Sequence, residues 1–178
     1  EELNQDQRGF CYYIQSTFFS KRVFKLVVVG YLIAAIMLGL QSFLFYIGRT
    51  YCQVWTERLQ VAQASSSFWP FLTILAISFR AGVSEEIFFR HFGINWGQKI
   101  FKNMFFACLI TSVIWGFGHT HYPVFPAWFR GLEVTCLGLL LSFFYLRHGI
   151  IPVVVAHYLF DAFWGSAGFL FGKSQLID

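Results

Sequence analysis

Three short clusters of ionisable side chains lie inside apolar sequence: Glu85-Glu86-x-x-x-Arg90, Trp115-x-x-x-His119 and His157-x-x-x-Asp161. Carboxylates and imidazoles are the groups that move protons near neutral pH. Together they can take a proton from water, hold the resulting nucleophile and donate to a negative charge that develops during attack. An ionised side chain at bilayer depth costs about 2.5–3.5 kcal/mol on insertion scales, so such groups mark functional sites by default. The bland reading of each cluster is polar glue between helices. Three clusters in separate apolar segments make chemistry the better reading.

The elements that must position them follow from composition. The 178 residues are 57% hydrophobic, 21% aromatic and 12% charged, against about 25% charged in soluble domains. Apolar runs long enough to span a bilayer recur, and they do not alternate as barrel strands do. The expected fold is all-α, a polytopic transmembrane helical bundle of about five spans. A polar N-terminal approach (1–22) precedes a first span and polar loop (23–67), a core (68–172) and a tail (173–178). Within the loop, Tyr51 and Trp55 are expected as interface anchors. The spans are expected at 23–47, 68–92 with a break near Gly82, 103–119, 127–146 and 150–171. A connector is expected over 93–102, a turn with Pro123 and Pro126 over 120–126, and a tight turn at Arg147-His148-Gly149.

The net charge of +4 is scattered near segment ends and forms no stripe of the kind nucleic acid requires. Lys21, Arg22, Lys25, Lys99, Lys102 and Arg147 fall at the same ends of alternate spans, which places the N-terminus in the cytoplasm. The four cysteines form no metal or CxxC spacing and are expected as free thiols. The chain opens on Glu1, as expected of a piece of a longer protein, and the pattern of a signal peptide is missing from its first residues.

Depth can be counted from helical rise. Glu85 lies about 20 Å in, His119 about 25 Å and His157 about 14 Å at 1.5 Å per residue, all within a core about 30 Å thick. On a helix Glu86 and Arg90 face each other at i,i+4 and can neutralise one another. Glu85 points about 100° away and is free for chemistry. His157 and Asp161 share a face in the same way, so Asp161 can fix the imidazole tautomer or act on substrate directly.

The ordered trio EExxxR, aromatic-xxxH and HxxxD over residues 68–172 resembles the CPBP family of CAAX proteases and bacteriocin-processing (Abi) enzymes. The resemblance implies an intramembrane endopeptidase that hydrolyses a peptide bond with glutamate-activated water. Its prenyl-protein members remove the last three residues of CaaX tails. The resemblance also implies that Glu85 and His119 activate water, that His157 and Asp161 build the oxyanion site, and that Glu86 and Arg90 support them. Two positions depart from the usual pattern. Trp115 stands where Phe is common, and Asp161 where Asn is common. An ionised Asp cannot donate to an oxyanion, so Asp161 must be protonated or act by orienting His157.

No cofactor is expected. The alternative is a zinc ion on Glu85, His119 and His157, with one open position. The expected partners are membrane lipid and a peptide or protein substrate, with a prenylated substrate as the narrower expectation. A bacterial plasma membrane is the expected location. Competing readings are a non-proteolytic scaffold or immunity protein on the same fold, and a bis-histidine haem or quinone protein on His119 and His157. Among the remaining groups, Arg130 and Glu133 are expected to pair at i,i+3, and Arg80 to sit in a buried ion pair. His91 and His148 are expected at interfaces, His121 on a loop beside the site, and Ser84 without a base.

Overall fold

A computed structural model describes residues 20–56 and 67–171, with side chains described up to Ala167. Most of the N-terminal approach, the middle of the polar loop and the tail lie outside the described residues. Helix α1 (Lys21–Cys52) opens on Ser20, whose hydroxyl accepts from the Val23 amide, and closes at Gln53 in the left-handed region. It is longer than the span read from hydropathy, because the helical backbone continues into the polar residues Arg49 and Thr50. A two-residue strand β1 (Trp55–Thr56) follows.

The second pass is one helical rod in three parts. Helix α2 (Pro70–Glu85) begins with proline at its first turn, where the missing amide costs nothing. A π-helical segment (Glu86–Ile94) comes next, then α3 (Asn95–Phe101). The change of geometry falls at Glu86, not at Gly82, which lies within regular α-helix. The buried residues of α2 and the π-helical segment are Ile74, Ser78, Gly82, Glu86, Arg90 and Ile94, a strict repeat of four that ends where α3 buries Gly97. An α-helix at 3.6 residues per turn overshoots such a repeat. The wider i→i+5 turn of a π-helix undershoots it. Joining the two keeps the stripe on one face across the charged residues.

The connector expected over 93–102 is therefore helix, and the chain reverses at Lys102 and Asn103. Its glycines are contact positions: a Cβ on Gly93 would lie 3.1 Å from Thr111 Cγ2, and one on Gly97 3.1 Å from the Ala107 Cβ. Asn103 caps α4 (Met104–Phe117) by accepting from the Phe105 amide at 2.9 Å and the Phe106 amide at 3.4 Å. Strand β2 (Val124–Phe125) pairs antiparallel with β1, Trp55 opposite Phe125 and Thr56 opposite Val124. Hydropathy gave no sign of this pairing. Helix α5 (Ala127–His148) turns at Gly149, with φ of 81°, into α6 (Ile150–Phe171).

Helix α6 packs between α1 and α2, and α4 packs along α5. The core between them holds Ile33 and Met37 of α1, Trp115 of α4, Leu137 and Leu141 of α5, and Val153 and Ala156 of α6. Three helices (α1, α5 and residues 150–167 of α6) are long and apolar enough to cross a membrane, and α4 is a shorter apolar helix. Polarity is inverted relative to a soluble protein. Glu86, Arg90, Glu133 and His157 are buried, while Phe24, Phe43, Phe79, Phe88 and Phe105 are exposed. Exposed apolar surface around a charged interior suits hydrocarbon solvent. The fold is thus the expected all-α membrane bundle, with a two-strand clasp added.

Candidate active site

All three charged clusters meet in the middle of the bundle. Glu85 is the last residue of α2, and its carboxylate accepts from the indole N–H of Trp115 at 2.6 Å. His119 lies two residues beyond the end of α4, in a turn. Its Nδ1 donates to the Trp115 carbonyl at 2.7 Å. Trp115 therefore holds Glu85 with its side chain and His119 with its backbone. Its role as more than an aromatic wall escaped the sequence, although an indole N–H in place of a phenyl edge was a visible signal. Because a carbonyl only accepts, the Nδ1 position carries the proton and the neutral ring presents its Nε2 lone pair. That Nε2 lies 3.8 Å from Glu85 Oε2, too far for a direct hydrogen bond.

The second half of the site is built on Glu86, which is fully buried. Its Oε1 lies 3.2 Å from Arg90 Nη1, the pairing expected from spacing, and 2.7 Å from His157 Nδ1 on α6. The link to His157 was not expected. The Arg90 guanidinium, 1% exposed, lies over the Trp115 ring with Cζ 4.1 Å from its centroid. A desolvated cation gains from such a face. The other nitrogen of His157, Nε2, lies 3.4 Å from Asp161 Oδ2. His157 thus stands between two carboxylates, and its ring meets Trp115 edge-on. Glu85 and Asp161 keep side-chain exposures of 30% and 34%, so these two carboxylates face the open side of the cluster.

Close helix contacts make the convergence possible. A Cβ on Gly82 would stand 3.0 Å from the Tyr158 amide nitrogen of α6. One on Gly138 would stand 3.0 Å from Trp115 and 3.3 Å from Arg90 Nη2. Small residues at these crossings let backbones approach, as in other membrane bundles.

Tyr122 also belongs to the site and was missed by sequence reasoning. Its ring lies parallel to His119, centroids 5.7 Å apart at 11°. Burial pushes its phenol up first and the Asp161 carboxylate next, while Arg130 opposes them. The phenol therefore stays a neutral donor around pH 7. Arg130 and Glu133 pair at 2.5 Å as expected, and Gln41 of α1 donates to the other Glu133 oxygen at 3.0 Å.

Other expectations divide. Arg80 is exposed rather than in a buried ion pair, because it lies about 200° around the helix from Ser78 on the buried stripe. His91 and His148 are exposed, and His91 meets the Tyr145 hydroxyl at 3.1 Å. The Ser84 hydroxyl donates to the Arg80 carbonyl, so it is engaged by backbone. His121 is an exposed loop residue whose ring leans on Tyr122. Cys52, Cys108 and Cys136 are free thiols, and Cys11 lies outside the described residues. Among the described residues no three His, Cys, Asp or Glu side chains are grouped so as to hold a metal ion. The zinc alternative requires the three donors to move together. Iron ligation by His157 meets a similar obstacle, since carboxylates face both of its nitrogens.

Comparison with known proteins places the chain in a family. The model of the family described as type II CAAX prenyl endopeptidase Rce1-like matches residues 67–163, more than half of the chain and all three clusters. A curated relative, the sporulation-killing factor biosynthesis protein SkfC of Bacillus subtilis (strain 168), is 27% identical over 126 residues. That alignment covers 70% of this chain and 25% of the relative, so the chain spans about a quarter of the length of that relative. No solved structure matches. Its three charged clusters meet inside a helical membrane bundle, and the chain belongs to the Rce1-like type II CAAX prenyl endopeptidase family.

Proposed function

We propose that this protein is an intramembrane endopeptidase in which Glu85 and His119 activate water against a peptide bond. The observation that carries the proposal is the pairing of Glu85 Oε2 and His119 Nε2 across 3.8 Å, both held by Trp115. Two acceptors at that separation suit one water donating to each at about 2.8 Å, which leaves its lone pairs free to attack. Water adds to the carbonyl carbon as one of its protons passes to Glu85. The remaining proton on that oxygen passes to His119 Nε2 and on to the amide nitrogen as the C–N bond breaks. The proton on Glu85 leaves with the amine, which departs as ammonium beside a carboxylate.

The oxyanion falls to His157 and Asp161. His157 Nδ1 faces Glu86, so donation from Nε2 requires the ring to carry both protons, or requires Asp161 to donate as a neutral acid. One oriented donor of this kind is worth about 3–4 kcal/mol of barrier.

The substrate class is a membrane-associated peptide or protein tail. Family membership favours a prenylated C-terminal tail, and the name of SkfC favours a biosynthetic peptide as the second case. Lys21, Arg22, Lys25, Lys99, Lys102 and Arg147 fall at one end of the helices, which favours a cytoplasmic N-terminal end, and the Bacillus subtilis relative favours a bacterial plasma membrane.

The test is cleavage of a quenched peptide library, including a farnesylated CaaX peptide, by purified wild type and Glu85→Ala in detergent, with and without chelator. Cleavage abolished in the variant and insensitive to chelator is expected. Chelator-sensitive cleavage would return zinc. A folded wild type that cleaves nothing in the library would favour the scaffold reading.

A further inference from the structure

We infer that a polar chain from α1, Gln41 to Glu133 to Arg130 to Tyr122, positions His119, so that α1 takes part in setting the site. The inference rests on the role proposed for His119. It concerns a helix that lies outside the family match at residues 67–163.

His119 stands in a turn past the end of α4, where its amide donates to the Gly116 carbonyl at 3.0 Å. One hydrogen bond, Nδ1 to the Trp115 carbonyl at 2.7 Å, fixes one edge of its ring. The Trp115 ring also meets it edge-on, centroids 5.0 Å apart, and a swing of the ring about the hydrogen bond carries Nε2 away from Glu85. The parallel face of Tyr122, 5.7 Å away, limits this motion. Tyr122 is tied through its backbone, since its amide donates to the His119 carbonyl and its carbonyl accepts from Val124 of β2. Its ring is tied by Arg130, whose Cζ lies 5.4 Å from the ring centroid.

Arg130 is held in turn. Its Nη1 donates to Glu133 Oε2 at 2.5 Å, and Gln41 Nε2 donates to Glu133 Oε1 at 3.0 Å. Glu133 and Gln41 are buried. A carboxylate in this position is costly unless fully engaged, and buried polar contacts of this kind are best attested as devices that fix register. Here each Glu133 oxygen serves one neighbour, one on α1 and one at the site.

The experiment uses the full chain in detergent, labelled with 15N-histidine, with the His119 ring signal assigned from a His119→Gln variant. Cleavage is measured in parallel. Tyr122→Phe keeps the ring and its stacking, and is expected to leave the His119 signal at its wild-type position. Tyr122→Leu is expected to move the His119 signal and to lower kcat by about tenfold with KM unchanged, the size expected of a small misplacement. Gln41→Leu, remote from the site, is expected to move the His119 signal in the same direction. The double variant is expected to do no more than Tyr122→Leu alone, because the two act through one path. Gln41→Met serves if the leucine variant does not fold. Arg130→Lys, which keeps charge but loses planar stacking, tests the middle of the chain. A folded Gln41 variant with an unmoved His119 signal, or additive effects in the double variant, overturns the inference and leaves Gln41 as helix packing. The resonance arm needs no substrate, so its outcome is separate from whether the wild type proves to be a protease.

Discussion

Glu86 Oε1 lies 2.7 Å from His157 Nδ1, a buried bond between side chains 71 residues apart. The same oxygen faces Arg90 at 3.2 Å. One carboxylate thus joins the rod of the second pass to α6 and compensates a buried cation. Glu86→Ala strands Arg90 and frees one side of His157. Breaking a buried pair from one side costs about 3–5 kcal/mol. Reversible unfolding in mixed micelles measures this directly. A loss under about 1 kcal/mol would show that the pair is solvated, unlike the one described here.

Trp115→Phe separates the two functions of that side chain. The phenyl ring still lies under Arg90, but the donor to Glu85 is gone. A hydrogen bond to a charged group is worth about 1.5–3 kcal/mol. The expected result is a fall in kcat of about ten- to a hundredfold with the fold intact. Steady-state cleavage with a melting control checks it, and an unchanged kcat would make the indole bond dispensable.

Much of this site was legible in the sequence because spacing on a helix is a strong constraint. Glu86 with Arg90, His157 with Asp161 and Arg130 with Glu133 are all one turn apart, and all three pairs form. The divergent directions of Glu85 and Glu86 followed from the 100° step between helical neighbours. Contacts between distant elements were not legible. Nothing in the sequence places Glu86 against His157, Gln41 against Glu133 or Thr56 against Val124, since each depends on how distant elements meet in space. The π-helical turn was hidden for another reason. It is set by the four-residue repeat of buried positions, and hydropathy blurs that repeat because Glu86 and Arg90 are charged.

Asp161 is placed to test how His157 is held. Its Oδ2 lies 3.4 Å from His157 Nε2. Asp161→Asn keeps size and can donate from its amide. Asp161→Leu keeps bulk and loses all polarity. The asparagine variant is expected to stay within about tenfold of wild type, and the leucine variant to lose about a hundredfold or more, the scale of a lost oxyanion donor. Equal activity of the two variants in the peptide assay would remove Asp161 from the site.

Gly116 provides the last prediction, which concerns packing rather than chemistry. A Cβ there would stand 2.2 Å from Thr135 Oγ1 and 2.6 Å from both the Gly131 carbonyl and the Thr135 amide nitrogen. Two of these three atoms are backbone, so the strain cannot be relieved by a side-chain rotation alone, and α4 must move away from α5. Trp115 precedes Gly116 and His119 follows three residues later, so the movement carries both the donor to Glu85 and its partner His119 with it. Gly116→Ala is expected to cost about 1–3 kcal/mol from overpacking and to lower kcat as well. Gly39 on α1 is the control, because a Cβ there meets nothing within 4 Å. Gly39→Ala is expected to be neutral or to stabilise by up to about 1 kcal/mol through helix propensity. Melting curves and cleavage rates of the two variants in one detergent decide the matter. Matching behaviour would mean that the α4–α5 crossing is looser than its backbone contacts require.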